Sequence, residues 1–116
     1  MSYRLVVQRL ARRDLEAYYL WAARRAPQTA TQWYERFKNS LRRLAKSPQR
    51  HGLAPEDRKV QLELRQFLFG RKPNVYRVIY TIEPEVVRVL RIRRGQRRFL
   101  TRKEIEDAAR PDTNGE

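Results

Sequence analysis

The sequence predicts an α+β domain with element order β-α-α-β-β-β and a possible short helix at its end. Three observations carry that prediction. Residues 11–46 hold apolar side chains at helical spacing, interrupted once by Pro27. Three strand-like runs then follow one another between residues 60 and 93, and a fourth, YRLVVQR, opens the chain. A helical hairpin with one apolar stripe needs a surface to cover, and three consecutive strands supply it as a meander.

Each element has its own justification. Tyr3 to Arg9 reads as a strand, with Leu5 and Val7 alternating against Arg4 and Val6. From Ala11 to Arg25 the spacing turns helical through Leu15, Tyr18 or Tyr19, Ala22 and Ala26, with Arg12 and Glu16 as a solvated i,i+4 pair. Pro27 ends that helix and opens the next, because a first-turn N–H has no helical acceptor to lose. The second helix is the clearest: Ala30, Trp33, Phe37, Leu41, Leu44 and Ala45 make one stripe, Arg36, Lys38, Arg42, Arg43 and Lys46 lie off it, and Ser47-Pro48 stops it. Residues 48–58 form an irregular connector.

Val60, Leu62 and Leu64 alternate with polar residues, as in a half-buried strand, and Phe67-Leu68-Phe69 breaks the alternation as a bulge or twist before Gly70 would. Val75 to Ile82 is apolar on both faces and is expected at the centre of the sheet. Glu83-Pro84-Glu85 turns the chain, and Val86 to Arg93 returns; if it alternates, Arg91 and Arg93 share the face opposite Leu90 and Ile92. Arg102 to Ala109 fits a last helix with Thr101 as its cap and Glu104 as the capping-box acid. Residues 1–110 thus form a single domain, with 111–116 (PDTNGE) as a disordered tail.

Composition narrows the chemistry. With no cysteine, disulfides, thiolate metal sites and a cysteine nucleophile are excluded. No signal-like apolar segment opens the chain and no apolar run is long enough for a membrane span, so a soluble, cytoplasmic protein is expected. The 27 basic against 13 acidic residues give a net charge of +14. That field attracts nucleic acid or an acidic protein, although an arginine-rich composition of the kind a GC-rich genome produces contributes to it as well.

The ordered combination of ARRDLEAYYLWAARRAP, the A..W...F...L..L...P pattern, Leu64-Arg65, YRVIY (Tyr76 to Tyr80) and VLRIRRGQRR resembles the RelE/ParE superfamily of type II toxin–antitoxin toxins over roughly residues 3–100. The resemblance implies a helical hairpin packed on a twisted antiparallel sheet, no cofactor or metal, and a cognate acidic antitoxin as partner. It also implies one of two targets: DNA gyrase for ParE-like members, often with a role in plasmid stabilisation, or the ribosome and its mRNA for RelE-like endoribonucleases. A relative that only binds partners would share the same features.

Side chains separate the two branches. Metal-free RNA cleavage needs a base, an acid and cations for the phosphorane. The chain has one histidine, His51, in the connector; family members that use His or Tyr carry them at or after the last strand, where this chain has Arg94, then Phe99 and Leu100. Arg77 and Arg97 match the phosphate-binding arginines of the nucleases, but arginine shuttles protons poorly. Lys59, Lys72 and Lys103 show no neighbour in sequence that would depress a pKa. Arg77 has a structural alternative as a cross-sheet partner of Glu63 or Glu85. The ParE side is therefore favoured, acting by binding.

Between Val86 and Lys103 there are eight basic residues and no acid. Arg91, Arg93, Arg94, Arg97 and Arg98 are the candidates for gripping the target or the antitoxin; Phe99 is positioned to stack on a base if the target is RNA. The alternative is a solvated edge that charge protects against aggregation. In the family the antitoxin commonly lies along the helical hairpin and adds a strand, which implies a groove here including Leu10, Tyr18, Trp21 and, if it is not plain core, Trp33.

Overall fold

The computed structural model describes residues 3–95 and 98–111. Arg97 and nearly all of the expected tail lie outside the described residues. The elements are β1 (Arg4–Val7), α1 (Arg9–Arg25), α2 (Pro27–Leu44), short 3-10 turns at Pro48–Arg50 and Pro55–Lys59, β2 (Arg65–Arg71), β3 (Asn74–Ile82), β4 (Val86–Arg94) and α3 (Arg102–Ala109). Pro27 sits in the first turn of α2, and Ala30, Phe37, Leu41 and Leu44 of the expected stripe are buried.

The four strands form one sheet in the order β1-β4-β3-β2. β2, β3 and β4 are antiparallel neighbours, as a meander with tight turns requires. β1 instead pairs parallel with β4, Arg4 opposite Val86 to Val7 opposite Val89, so the sheet is mixed. No hairpin links β1 to β4, and the constraint that fixes the meander does not reach it.

Two cores result, one for each face of the sheet. The hairpin packs Ala11, Leu15, Phe37, Leu41 and Leu44 onto Tyr76, Val78, Tyr80, Val87, Val89 and Ile92. The other face gathers Leu64, Ile79, Leu90 and Leu100 with Ile105 and Ala108 of α3. β3 contributes to both, as its two apolar faces predict. α3 begins at Thr101, whose hydroxyl accepts from the Glu104 N–H while the Glu104 side chain accepts from the Thr101 N–H, so the expected capping box is present.

Four expectations need correction. Val60 to Leu64 is not a strand: β2 starts at Arg65 and contains Phe67-Leu68-Phe69. Leu64 is buried as a loop residue, its N–H donating to Asp57 and its carbonyl accepting from Ala54. The bulge lies elsewhere. Pairing of β2 with β3 is unbroken from Arg65–Tyr80 to Arg71–Asn74, whereas β3 and β4 slip between Ile79 (opposite Arg91) and Tyr80 (opposite Val89). That slip leaves Leu90 without a register partner, so Leu90 joins the α3 face and Ile92 the hairpin face; they do not share one face. Finally, β1 is shorter than expected, because Arg9 already starts α1.

Gly70 has φ +98°, and a Cβ there would lie 2.4 Å from the Asn74 carbonyl oxygen. Among the described residues no helix is long and apolar enough to cross a membrane.

Candidate interaction site: an aromatic groove beside an arginine edge

The hairpin meets the β2–β3 end of the sheet in a groove of about 630 Å³. Its floor is an aromatic stack. Trp33 lies 5.2 Å from Tyr76 and 5.3 Å from Phe37, Phe37 lies 4.7 Å from Phe69, and Tyr18 meets Tyr76 edge-on at 5.0 Å. Arg25, Arg36 and Arg71 line its rim, and none of the lining residues is acidic. Trp21 stands in this wall 49% exposed, with the Arg25 guanidinium 4.0 Å and that of Arg94 6.0 Å from its ring. The structure thus brings Tyr18, Trp21 and Trp33 together. Leu10 is not with them: it packs against the α3 core on the other side of the sheet.

The arginine run reads differently once folded. No acid interrupts it in sequence, yet acids from three places outside the run meet it. Asp14 of α1 accepts from Arg91 at 2.7 and 2.9 Å and from the Ile92 N–H at 2.9 Å, taking over the edge of β4 where β1 ends. The Arg91 pKa is raised by that hydrogen-bonded carboxylate. Glu83 in the β3–β4 turn holds Arg88 at 2.7 and 2.9 Å. Glu104 of α3 takes Arg98 through both oxygens at 3.0 and 3.1 Å, with Arg93 at 4.0 Å. The Arg98 hydrogen bonds and the Thr101 N–H bring the Glu104 carboxyl down to about 2. Arg94 donates to Asn74 at 2.8 Å, and its backbone N–H donates to the Tyr18 hydroxyl at 3.0 Å, which joins the arginine edge to the groove wall.

Arg77 is buried, and its partner is neither Glu63 nor Glu85. It donates to Glu56 at 2.6 Å and to Gln66 at 2.8 Å, while Glu63 pairs with Arg65. The second Glu56 oxygen accepts from the Leu100 N–H at 2.9 Å. Burial pushes the Glu56 carboxyl up, but the Arg77 and Leu100 donors outweigh it and hold the group below its ordinary value. The guanidinium that matches a nuclease arginine is thus spent on tying the Pro55–Lys59 turn to β3 and β2, while Glu56 ties the same turn to Leu100. Glu56 gave no signal in the sequence, since it lies 21 positions from Arg77 in an irregular connector.

Proton shuttles are similarly placed. His51 packs 5.1 Å from the Phe67 ring, and partial burial together with Arg50 lowers its pKa. Tyr80 is buried and donates to the Pro48 carbonyl at 2.6 Å, and desolvation pushes its phenol up to about 12. Lys59 donates to the Leu100 carbonyl at 2.7 Å, and Lys103 pairs with Asp107.

The family model for the ParE toxin of the type II toxin–antitoxin system parDE matches residues 5–99. The chain belongs to the ParE toxin family. Among solved structures, a chain described as the chromosomal ParDE TA system from P. aeruginosa is similar in fold, with TM-score 0.64 at 20% identity, covering 80% of this chain and 96% of that one. No curated protein matches the sequence. For a ParE toxin of a parDE system, an antitoxin is the implied partner. The ParE match takes in the hairpin, all of the sheet but Arg4, and the arginine edge through Arg98, and it stops before α3 and its Glu104.

Proposed function

We propose that this ParE-family toxin inhibits DNA gyrase in the cytoplasm by binding the gyrase–DNA complex, and that an acidic segment of its antitoxin, seated in the groove, silences it. The reading rests on one contrast. Arg77, the described arginine that a nuclease mechanism would use, is locked in a buried ion pair with Glu56, whereas an aromatic groove with a basic rim opens to solvent and Arg98 of the arginine edge stays exposed. An aromatic floor with an all-basic rim suits a partner segment that alternates apolar and acidic side chains. Arg91, Arg93, Arg94 and Arg98, with Arg97 following Gly95 in sequence, are proposed as the edge that grips target or antitoxin.

The test is a supercoiling and cleavage assay of gyrase with purified, antitoxin-free protein. The expected result is loss of supercoiling with accumulation of cleaved DNA, unchanged by His51→Ala. Normal supercoiling with a folded protein, accompanied by cleaved mRNA on ribosomes, would replace gyrase by the ribosome as the target.

A further inference from the structure

Glu104 is one of three carboxylates that meet the arginine edge in the folded chain, and it holds the exposed Arg98. Its two carboxylate oxygens face the two terminal nitrogens of Arg98 at 3.0 and 3.1 Å, the fork geometry arginine offers to carboxylates and phosphates alike. One of the same oxygens accepts from the Thr101 N–H at 2.8 Å, and Arg93 stands 4.0 Å away. Arg98 remains 64% exposed at its side chain, so it faces solvent while it is engaged. The helix that carries Glu104 lies beyond the residues matched by the ParE family model.

We propose that Glu104 is an internal substitute for a DNA phosphate: Arg98 and Arg93 form an oxyanion site on the arginine edge, and the phosphate backbone of DNA occupies it by displacing the α3 carboxylate. The proposal rests on the reading of that edge as a gripping surface. Phosphate fits better than a single partner carboxylate because the incomer must displace a tethered one. A polyanion does so through the field of a +14 chain and the release of its counterions, neither of which one carboxylate supplies. Glu104 thereby sets a threshold, holding Arg98 and Arg93 back from weak anions and yielding them to dense ones.

The experiment is fluorescence anisotropy of a labelled DNA duplex over a salt series, with wild-type protein, Glu104→Gln, Glu85→Gln, Arg98→Ala and the double variant Glu104→Gln/Arg98→Ala. Glutamine keeps the capping box, since it accepts from the Thr101 N–H as glutamate does, so α3 stays folded; circular dichroism checks this. Glu85→Gln removes the same charge from an exposed turn position. The expected result is that Glu104→Gln binds roughly three- to tenfold tighter across the salt series with a slope near that of wild type, since the same phosphates are neutralised in both complexes, whereas Arg98→Ala lowers the slope by about one. Glu85→Gln should stay near wild type, and the gain should vanish in the double variant.

An equal gain in Glu85→Gln, or a gain that survives Arg98→Ala, overturns the proposal, since bulk charge then explains it. No gain in Glu104→Gln with Arg98→Ala weaker than wild type overturns the masking alone and leaves the gripping edge standing. No gain with Arg98→Ala equal to wild type removes both. A gain on labelled oligo-glutamate with none on DNA overturns the phosphate assignment in favour of an acidic polypeptide.

Discussion

Arg77 and Glu56 illustrate how much one buried pair decides. Their side chains are 6% and 0% exposed, and the pair also fixes Gln66 and the Leu100 N–H. Truncating Arg77 to Ala leaves Glu56 buried without its cation, and we expect a loss of about 3–5 kcal/mol in urea unfolding. Replacing both by apolar residues of similar size, Glu56→Leu with Arg77→Met, should cost less than the single change. The pH dependence follows from the lowered Glu56 value. A carboxyl whose folded pKa lies below its unfolded one stabilises the fold above the unfolded pKa, and that contribution drains as pH falls through the folded one. Stability should therefore hold at neutral pH and decline below about pH 4.5, with Glu56→Gln flattening that decline in a pH series of melts. This pair was invisible in the sequence. A strand arginine advertises that it needs a partner, but the candidates visible by strand proximity, Glu63 and Glu85, were wrong because the connector folds back beneath the sheet. Asp14 was missed for the same reason: 77 positions separate it from Arg91.

At the scale of elements, what could be read was what local chemistry alone decides. The stripe of α2, the proline that opens it and the capping box of α3 depend on neighbours within four positions, and all three are present. Strand limits depend on a distant partner. Val60, Leu62 and Leu64 imitate a strand, yet it is the pairing with β3 that makes residues 65–71 one. The bulge at Leu90 comes from the register between two strands and leaves no mark in either one alone. Two substitutions test these local devices. Thr101→Ala should cost about 1 kcal/mol, with faster amide exchange concentrated in α3 rather than spread over the sheet. Gly70→Ala forces a side chain into the left-handed region against the Asn74 carbonyl, and we expect at least about 1–3 kcal/mol of destabilisation by denaturant titration. In the groove, Trp21 and Trp33 should part company. Trp21→Ala, at a half-exposed position, should leave the melting temperature nearly unchanged and weaken antitoxin capture by more than about tenfold in calorimetry. Trp33→Ala should lower stability as well, because that ring packs on Phe37 and Tyr76.

For the whole molecule, a net charge of +14 looks like an open invitation to any polyanion, but folding places much of the arginine edge against Asp14, Glu83 and Glu104. Acids from α1, the β3–β4 turn and α3 divide the edge among them, and the groove keeps its basic rim. Charge counted along the chain overstates the free charge at the edge and says nothing of the groove, which exists only once α1, α2 and the end of the sheet are assembled. The parallel pairing of β1 with β4 has a consequence in time. Gln8, the residue after β1, accepts from Arg88 of β4, 80 positions away. At roughly 5–20 residues per second of synthesis, on the order of 4–16 seconds separate the emergence of those two residues. Throughout that interval the first strand has no neighbour to pair with, and the hairpin lacks the β4 part of the sheet it covers. A chain still being translated therefore has the residues of the groove before those of the arginine edge, and β1 finds its place only as the last strand closes the sheet.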